Sequence, residues 1–407
     1  MITLDEARAR VLSDCVLLPP RLHPLADALG LVVAEDVVAG ELIPPFANTG
    51  VDGFAVRAAD TARAAANTPV RLEVLGTLAA GAAPDVPLRP GQALRIMTGA
   101  PMPTGSDAAV MVENTRLSED GSKVELFAAA RAGDNVRSAG DDVRPGDVVV
   151  SAGTVLTAGH LGVLASLGRG EVLAHPRARV GVVSTGDELV EGPAPLAPGQ
   201  IRDSNRRTLL ALLAESGCEP IDLGLIRDDE QAIAEAFERG AATCDALVSS
   251  GGVSMGEFDF VKRVLDRVGE MNWMQVAIKP AKPLAFGHVA GKPTFGLPGN
   301  PVSSMVSFEL FARPALRQMM GHAALDRPRV RAVAPNGLNR RPDGRMQFFR
   351  VVAQWVGDRF EVSPAGGQGS HQLTGMAGAN GLAIVPDGPG VPPGGEVDLI
   401  LLSLPGQ

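Results

Sequence analysis

The alternation of apolar, strand-like runs with amphipathic helical segments in the second half of the chain constrains the fold most. This alternation is typical of a parallel sheet with helices on both faces, in which ligands bind beyond the carboxyl ends of the strands. The strands are predicted at residues 178–184, 220–225 and 245–250, and the helices at 205–216, 229–239, 257–268 and from Pro301 to about residue 320.

The segments on either side of this region are poorer in helix, and a chain of 407 residues is long enough for several domains. Short β runs separated by Gly and Pro turns fill residues 41–142, and similar runs follow Pro328. An N-terminal helix is predicted at 4–14 and a strand at 31–39. We predict a multidomain α/β chain with a doubly wound α/β domain, β-rich N-terminal domains and a small C-terminal domain like a β-barrel. The predicted domains are residues 1–40 with 143–176 (an N-terminal arm), 41–142, 177–326 and 327–407.

The charge and cysteine content exclude several classes of function. A formal net charge of −9 argues against nonspecific nucleic-acid binding, and it requires local cations wherever an anionic substrate binds. Cys15, Cys218 and Cys244 are far apart and have no disulfide or metal-ligand spacing, which fits a reducing cytoplasm. Residues 148–168 carry no formal charge, yet many glycines interrupt them. We predict a strand, a turn and a short helix there, and no membrane span.

Two loops at the predicted carboxyl ends of strands contain groups suited to a metal or a phosphate. After the first strand, Asp187 and Glu188 follow a Gly turn at a predicted helix start, where they could cap the helix or bind Mg²⁺. After the third strand, the loop 249–256 combines three glycines with three serines ahead of a helix. Its backbone N–H groups could bind a phosphate. Asp259 follows in the first helical turn, where it could cap the helix or hold a metal beside the phosphate.

Two further loops favour anions. Two prolines constrain the backbone around Lys279 and Lys282, which favours a preorganised anion site over a solvated turn. The segment 296–301 is rich in Gly and Pro and precedes a helix whose free N–H groups, together with Ser303, indicate another anion site. Three such elements in one domain predict a substrate that carries a phosphate, together with an oxyanion.

Together these motifs closely resemble the molybdopterin molybdenumtransferases, the family that contains bacterial MoeA and the gephyrin E domain. The resemblance covers nearly the whole chain and depends on the order and spacing of eight motifs. The motifs lie at residues 43–46 with 51–56, 95–103, 140–142, 184–189, 203–205, 250–256, 279–283 and 297–301.

The resemblance implies a reaction: Mg²⁺-dependent insertion of molybdenum from molybdate into adenylylated molybdopterin, with release of AMP. It implies catalytic roles for Asp52, Thr98, Asp142, Glu188, Asp228 and Asp259, of which Glu188 and Asp259 would bind Mg²⁺. With the loops above, it implies substrate-binding roles for Ser250, Gly251, Gly252, Ser254, Lys279, Lys282, Pro298, Asn300, Pro301, Ser303, Arg350 and Ser370. Taken singly, Asp52, Asp142 and Asp228 fit a turn, a loop closure and a helix N-terminus equally well.

The resemblance also implies a homodimer whose active cleft lies between the α/β domain of one subunit and the second domain of the other. The expected binding partners are the pterin substrate, molybdate and the adenylyltransferase of the same pathway, without nucleic acid or membrane. Two alternatives remain open: the preceding adenylyl transfer, which related α/β domains perform alone, and a non-catalytic scaffold like that of gephyrin. The sequence does not distinguish molybdate from tungstate.

Overall fold

A computed structural model describes residues 1–251 and 260–405. Backbone contacts divide the chain into two units. The larger unit contains Met1–Leu22, Gly30–Ala34 and Leu173–Gln407, and the smaller unit contains His23–Leu29 and Glu35–Val172.

The elements of the first 175 residues are mostly short strands. The helices are α1 (Leu4–Ser13), α2 (Ala58–Thr61) and α3 (Ala158–Ser166), with 3-10 turns at Leu25–Asp27 and Val112–Asn114. The strands are β1 (Arg21–Pro24), β2 (Val32–Val33), β3 (Val37–Val38), β4 (Asn48–Thr49), β5 (Gly53–Val56), β6 (Val70–Leu78), β7 (Gln92–Ile96), β8 (Ala108–Met111), β9 (Thr115–Leu117), β10 (Lys123–Leu126), β11 (Val136–Arg137), β12 (Val148–Val150) and β13 (Glu171–His175).

From residue 176 onward, longer strands alternate with helices and are followed by a strand-rich end. The helices are α4 (Asn205–Glu215), α5 (Glu230–Thr243), α6 (Phe260–Val268), α7 (Pro301–Ser307), a π-helical turn (Phe308–Ala312), α8 (Arg313–Met319) and α9 (Leu373–Ala377). The strands are β14 (Arg179–Thr185), β15 (Leu189–Val190), β16 (Ile201–Arg202), β17 (Glu219–Ile226), β18 (Ala246–Ser250), β19 (Gly269–Gln275), β20 (Ile278–Lys279), β21 (Pro283–Val289), β22 (Lys292–Leu297), β23 (Arg329–Ala334), β24 (Leu338–Asn339), β25 (Met346–Val356), β26 (Arg359–Pro364), β27 (Gly381–Val385), β28 (Gly390–Val391) and β29 (Gly395–Leu401).

The smaller unit is built on a six-stranded sheet in the order β8-β5-β7-β6-β10-β9. Phe54, Leu72 and Leu126 are buried in its core, and the predicted β-rich character of this part of the chain is confirmed. Strands β5 and β8 approach each other so closely that a Cβ on Gly53 would lie 1.9 Å from the carbonyl oxygen of Val110. Only glycine therefore fits directly after Asp52.

The predicted doubly wound α/β domain is confirmed, with one correction to its sheet. Strands β17, β14, β18 and β22 are parallel, whereas β21 and β19 run antiparallel at one edge, so the sheet is mixed. A connection of two residues, Ala290 and Gly291, joins β21 to β22, and their φ angles are +47° and +75°. So short a hairpin permits only antiparallel pairing, which the Ala-Gly pair did not reveal in the sequence.

Helices cover both faces of this sheet. On one face, α5 and α6 pack against the strands through buried side chains such as Phe237 and Val264. On the other face, α4 and the α7–α8 segment pack through Leu209 and Phe311, among others. The predicted long helix after Pro301 is confirmed as far as residue 319, although it contains the π-helical turn.

Helix α1 packs against the α/β core rather than in the smaller unit. Its buried Val11 lies in the same core cluster as α8, and the Ile2 N–H donates to the Gln275 carbonyl oxygen at 2.8 Å. Contacts thus assign the first 22 residues to the larger unit, whereas the sequence grouped them with 143–176. The division into four domains stays a prediction.

The C-terminal strands close into a barrel, which confirms the prediction for this region. The order is β25-β26-β23-β29-β27, and pairing of β25 with β27 closes the ring. Alternate residues of β25 point to opposite sides, because successive side chains of a strand do so. Phe349 and Val351 pack in the barrel core, whereas Phe348 joins the core cluster that includes the α/β helices.

The predictions for two N-terminal segments had different outcomes. The single strand predicted at 31–39 is wrong: β2 and β3 are separate, and between them the Asp36 carboxylate accepts a hydrogen bond from the Ala152 N–H at 2.8 Å. Residues 148–168 form β12, a turn and α3, as predicted, with Thr157 before the helix and Gly168 (φ +68°) after it. In the described part of the chain, no helix is both long and apolar enough to span a membrane.

We expect Gly53→Ala to destabilise the smaller unit. The added methyl group would force β5 away from the Val110 carbonyl oxygen, at a cost of roughly 3 kcal/mol, as for other overpacked sites. Gly162→Ala is the matched control, because nothing lies within 4 Å of its Cβ and alanine stabilises a helix by about 0.5–1 kcal/mol. Thermal unfolding should give a lower Tm for Gly53→Ala only. Equal midpoints for parent and Gly53→Ala would contradict the close approach.

Candidate anion and metal site

Two of the predicted loops lie side by side because β18 and β22 are adjacent parallel strands. The Gly251 N–H, directly after β18, donates to the Leu297 carbonyl oxygen at 3.0 Å. A Cβ on Gly299 would lie 3.7 Å from the Gly251 Cα, and Gly251 has φ +92°. Ser250 ends β18 and is buried. The structure therefore brings the beginning of the glycine-rich loop next to the 297–301 loop.

Three predicted site residues, Gly252, Ser254 and Asp259, lie outside the described residues. Their assignment to phosphate and Mg²⁺ stays a prediction.

The beginning of α7 meets a loop of the barrel region. Pro301 is the first helical residue, Asn300 precedes it without a side-chain cap, and Ser303 is buried. The Val302 N–H donates to the carbonyl oxygen of Ser370 at 3.1 Å. Two segments that the sequence predicts to bind the substrate, although far apart in the chain, therefore touch in the larger unit. Pro298, between β22 and this helix, is also buried.

Arg350, on β25, is the most unusual side chain of this region. It is fully buried (0% exposed), and its Nη2 donates to the carbonyl oxygens of Gly367 at 2.5 Å and Gly369 at 3.2 Å. Its Nε and Nη1 are buried without a hydrogen-bond partner, and no carboxylate of the described residues pairs with it. Burial lowers the pKa of Arg350. A buried cation without a counter-ion is costly, so this arrangement favours an anionic ligand.

The sequence did not reveal which residue holds the Arg350 backbone in place. The side chain of Gln368 accepts from the Arg350 N–H and donates to the Arg350 carbonyl oxygen, both at 3.0 Å. Its Nε2 also donates to Gly366 O at 3.1 Å. A glutamine among glycines was the available signal, but a side chain that pairs with a distant strand leaves no pattern in the sequence.

The two predicted lysines have different surroundings. Lys279 lies on β20, which pairs in parallel with β25 so that Lys279 is opposite Gln347. Its ammonium nitrogen is 3.4 Å from a carboxylate oxygen of Asp343. Lys282 is exposed, and its side chain forms no hydrogen bond or ion pair with another residue within 1–251 and 260–405. Lys279 is thus docked to the strand that carries Arg350, whereas Lys282 is not.

The predicted helix start after β14 is wrong. Asp187 and Glu188 lie in a turn that leads into the short strand β15. Gly186 has φ +146°, and a Cβ there would lie 2.5 Å from the Glu188 carboxylate, which folds back over the glycine. Because no helix begins at this point, helix capping does not explain the two acids.

Asp228 lies close to these two acids. Its N–H donates to the Asp187 carboxylate at 3.3 Å, and burial together with the charges of Asp187 and Glu188 raises the pKa of Asp228. The neighbouring Asp229 caps α5 by accepting from the Ala232 N–H at 2.8 Å. Among the residues that the structure describes, no three His, Cys, Asp or Glu side chains form a group that could hold a metal ion. The pairing of Glu188 with Asp259 stays a prediction.

Residues at the beginning of α4 hold the end of β14 and the 297–301 loop in place. The Asp203 carboxylate, which is almost fully buried, accepts from the Ser184 hydroxyl at 3.2 Å and from the Arg206 Nε at 3.1 Å. Asn205 donates from Nδ2 to the Gly299 carbonyl oxygen at 2.7 Å. The sequence singled out residues 203–205 as a motif but gave them no role, which these contacts now supply.

In the smaller unit, Asp52 and Thr98 form a pair. Both the N–H and the hydroxyl of Thr98 donate to one Asp52 carboxylate oxygen at 2.7 Å, and these bonds lower the pKa of Asp52. Asp142 is exposed, its N–H donates to the Ile43 carbonyl oxygen at 3.0 Å, and no described residue hydrogen-bonds to its carboxylate. The pairing of Asp52 with Thr98 is thus observed, whereas the role of Asp142 stays a prediction.

The three cysteines are buried and free. Burial raises the pKa of Cys15 and of Cys218 to about 12, and it also raises the pKa of Cys244. Thiolate chemistry is therefore not expected at these positions.

Comparison with known proteins agrees with this fold along the chain. The family model of the MoeA N-terminal region (domain I and II) matches residues 2–168. The model described as a probable molybdopterin binding domain matches residues 181–318, and that of the MoeA C-terminal region (domain IV) matches residues 332–402.

Several relatives match nearly the whole chain. The molybdopterin molybdenumtransferase of Haemophilus influenzae is 39% identical over 93% of each chain. The molybdopterin molybdenumtransferase 2 of Mycobacterium tuberculosis is 40% identical, over 90% of this chain and 91% of that protein. A crystal structure described as the molybdopterin biosynthesis moea protein from Pyrococcus horikosii has a TM-score of 0.81 and 31% identity, and covers 99% of this chain and 100% of its own.

The fold and these matches define a multidomain protein that combines an α/β domain of the molybdopterin-binding type with the two MoeA-specific regions. The chain belongs to the molybdopterin molybdenumtransferase (MoeA) family, a family of transferases, as the sequence motifs indicated.

The pair formed by Asp52 and Thr98 gives a prediction about pH. Thr98→Val removes the hydroxyl donor but keeps the N–H donor, so the pKa of Asp52 should rise part of the way to its ordinary value. A carboxyl with a lowered pKa stabilises the folded state above its unfolded pKa, and this contribution is lost as the pH falls through the lowered value. Thr98→Val should therefore lower Tm more at pH 7 than at pH 2.

The direct measurement is a ¹³C NMR titration of the Asp52 carboxyl group. Thr104→Val is the control, since Thr104 is exposed and its hydroxyl has no hydrogen-bond partner among the described residues. An Asp52 titration midpoint that is the same in parent and Thr98→Val would show that the hydroxyl does not matter.

Proposed function

We propose that this protein inserts molybdenum from molybdate into adenylylated molybdopterin with the help of Mg²⁺, releasing AMP and forming the molybdenum cofactor. Relatives named molybdopterin molybdenumtransferase, similar along most of the chain, support the transfer of molybdenum. The buried guanidinium of Arg350, in which the nitrogens Nε and Nη1 lack a hydrogen-bond partner, is the observation that carries the choice of an oxyanion substrate.

A tetrahedral oxyanion suits the surroundings of Arg350. Molybdate offers charged oxygen acceptors, and bonds between ionised partners are roughly twice as strong as neutral ones. The free Nε and Nη1 of Arg350 would donate to it, and Ser370 lies in the loop whose carbonyl oxygens at 367 and 369 hold the same guanidinium. Lys279, on β20, would add a second cation, and Lys282, in the loop that follows β20, would add a third.

The loops at the ends of β18 and β22 would bind the phosphate groups of the pterin substrate. Gly251 and Gly299 allow the backbone to approach an anion closely, because neither has a side chain. Ser250 and Ser303, the latter with its backbone N–H at the beginning of α7, would complete this part of the site, with Pro298, Asn300 and Pro301 fixing the loop. Gly252 and Ser254 are proposed to contribute in the same way.

Negative charge near the end of β14 would attract a divalent cation, with Asp259 as a further carboxylate, because Asp187, Glu188 and Asp228 do not by themselves form a metal-binding group among the described residues. Burial, and then the like charges of Asp187 and Glu188, raises the pKa of Asp228. Glu188 and Asp259 would hold Mg²⁺, which when bound would neutralise the phosphoanhydride and polarise the phosphorus. Asp52, held by Thr98, and Asp142 would orient or deprotonate the attacking group.

The assembly proposed for this reaction is a cytoplasmic homodimer of four-domain subunits, in which the acids of the second domain complete the site of the other subunit. Its substrate would come from the adenylyltransferase of the same pathway.

The central experiment is an insertion assay with purified protein, adenylylated molybdopterin, Mg²⁺ and increasing molybdate, with AMP and metallated cofactor as products. Lys279→Ala and Arg350→Gln should each raise the molybdate concentration for half-maximal insertion about tenfold or more, since a charge-assisted bond contributes roughly 1.5–3 kcal/mol. Arg341→Gln is the matched control: Arg341 is exposed, and its side chain forms no bond or ion pair with the described residues.

Circular dichroism on the same variants would verify that they are folded. Unchanged molybdate dependence in both Lys279→Ala and Arg350→Gln would refute the oxyanion site. Pyrophosphate formed from ATP and molybdopterin would instead identify an adenylyltransferase. A protein that binds partners but forms neither product would be a scaffold.

A further inference from the structure

A cluster of charged residues on the barrel holds the ammonium of Lys279. Asp343 lies at its centre: one carboxylate oxygen is 3.4 Å from the Lys279 Nζ and accepts from an Nη2 of Arg345 at 2.6 Å. The other oxygen accepts from the Arg340 Nη2 at 2.9 Å. A single carboxylate thus gathers three cations that would otherwise repel one another.

The position of Asp343 is fixed by the barrel itself. Its backbone N–H donates to the Asp387 carboxylate at 3.0 Å, which also accepts from the Arg340 Nη2 at 2.9 Å. The side chain of Arg340 is only 1% exposed, and its Nη1 donates to the carbonyl oxygens of Arg345, Val385 and Pro386. The Asp343 carboxylate therefore presents a rigid acceptor to Lys279, and not a flexible surface charge.

The negative charge of Asp343 is stabilised mainly by an arginine. The Arg345 guanidinium is the largest cause that holds the pKa of Asp343 below its ordinary range, partial burial opposes this effect, and Lys279 adds a smaller lowering. The carboxylate is therefore ionised near neutral pH, where it can pair with the Lys279 ammonium.

Lys279 is otherwise free to adopt other positions. Its side chain is 43% exposed, and a long ammonium side chain loses conformational entropy when it is ordered. If Asp343 already orders the Lys279 side chain before the ligand arrives, less of this entropy is lost when the ligand binds. The backbone of Lys279 is already fixed opposite Gln347 of β25, so Asp343 determines the remaining freedom.

We propose that Asp343 is a positioning residue of the oxyanion site, which acts by holding the Lys279 ammonium in place for the incoming anion. This inference rests on the proposed function, because it assigns Lys279 to an oxyanion. Asp343 itself touches no substrate in this account. The two arginines Arg340 and Arg345 balance the two carboxylates Asp343 and Asp387, so the net effect of Asp343 on an approaching anion comes through the lysine.

The test is a double-mutant cycle on molybdate binding to the full-length protein, in which isothermal titration calorimetry measures each Kd. Asp343→Asn should raise the Kd about fivefold in the parent protein. The same substitution should leave Kd unchanged in a Lys279→Ala background, because the residue through which it acts is gone. A purely structural role of Asp343 would predict the same factor in both backgrounds.

Asp387→Asn is the matched control. This substitution removes the same charge from the cluster and keeps an oxygen that can accept from the Asp343 N–H. Residue 387 does not contact Lys279. We expect no increase in Kd for this variant.

An equal effect of Asp387→Asn and Asp343→Asn, or equal factors with and without Lys279, would overturn the positioning role alone. A parent protein without saturable molybdate binding would overturn the proposed oxyanion site and the positioning role together.

Discussion

The buried guanidinium of Arg350 is the constraint on which the site depends. Burying a cation without a counter-ion costs several kcal/mol, so the surrounding structure must hold it firmly. Gln368 fixes its backbone, and the carbonyl oxygens of Gly367 and Gly369 hold one end of its guanidinium. The Nε and Nη1 groups of Arg350 therefore remain able to donate to an anion. A bound anion would stabilise the arrangement by neutralising the guanidinium charge.

The architecture explains why such a group can exist at the face of a barrel. Alternate residues of β25 fill the barrel core, and those between them face the α/β helices, so Arg350 lies where two packed layers meet. The pairing of β20 with β25 fixes the backbone of Lys279 to the same strand. The contact between Val302 and Ser370 brings the beginning of α7 to the same loop. Residues more than 60 positions apart in sequence are thereby coupled within one compact unit.

The sequence predicted those features that local pattern determines. The spacing of apolar residues and the positions of turn residues predicted the parallel strands, most helices and the barrel strands. The order and spacing of the motifs indicated the family. The antiparallel edge at Ala290 was missed, because a two-residue hairpin without Asn or Asp is a weak signal. The helix predicted after Gly186 was wrong, because two acids after a glycine fit a turn as well as a cap. Gln368 and Asp343 could not be found, since their partners lie on other elements.

Anomalous diffraction at the tungsten edge from crystals soaked in tungstate tests the central claim most directly, because tungstate has nearly the size and charge of molybdate and scatters strongly. The account predicts a tungsten peak within hydrogen-bonding reach of the Arg350 guanidinium, with its Nε and Nη1 donating to the oxyanion. Tungsten found only elsewhere in saturated crystals, with the Arg350 N–H groups satisfied by water, would contradict it.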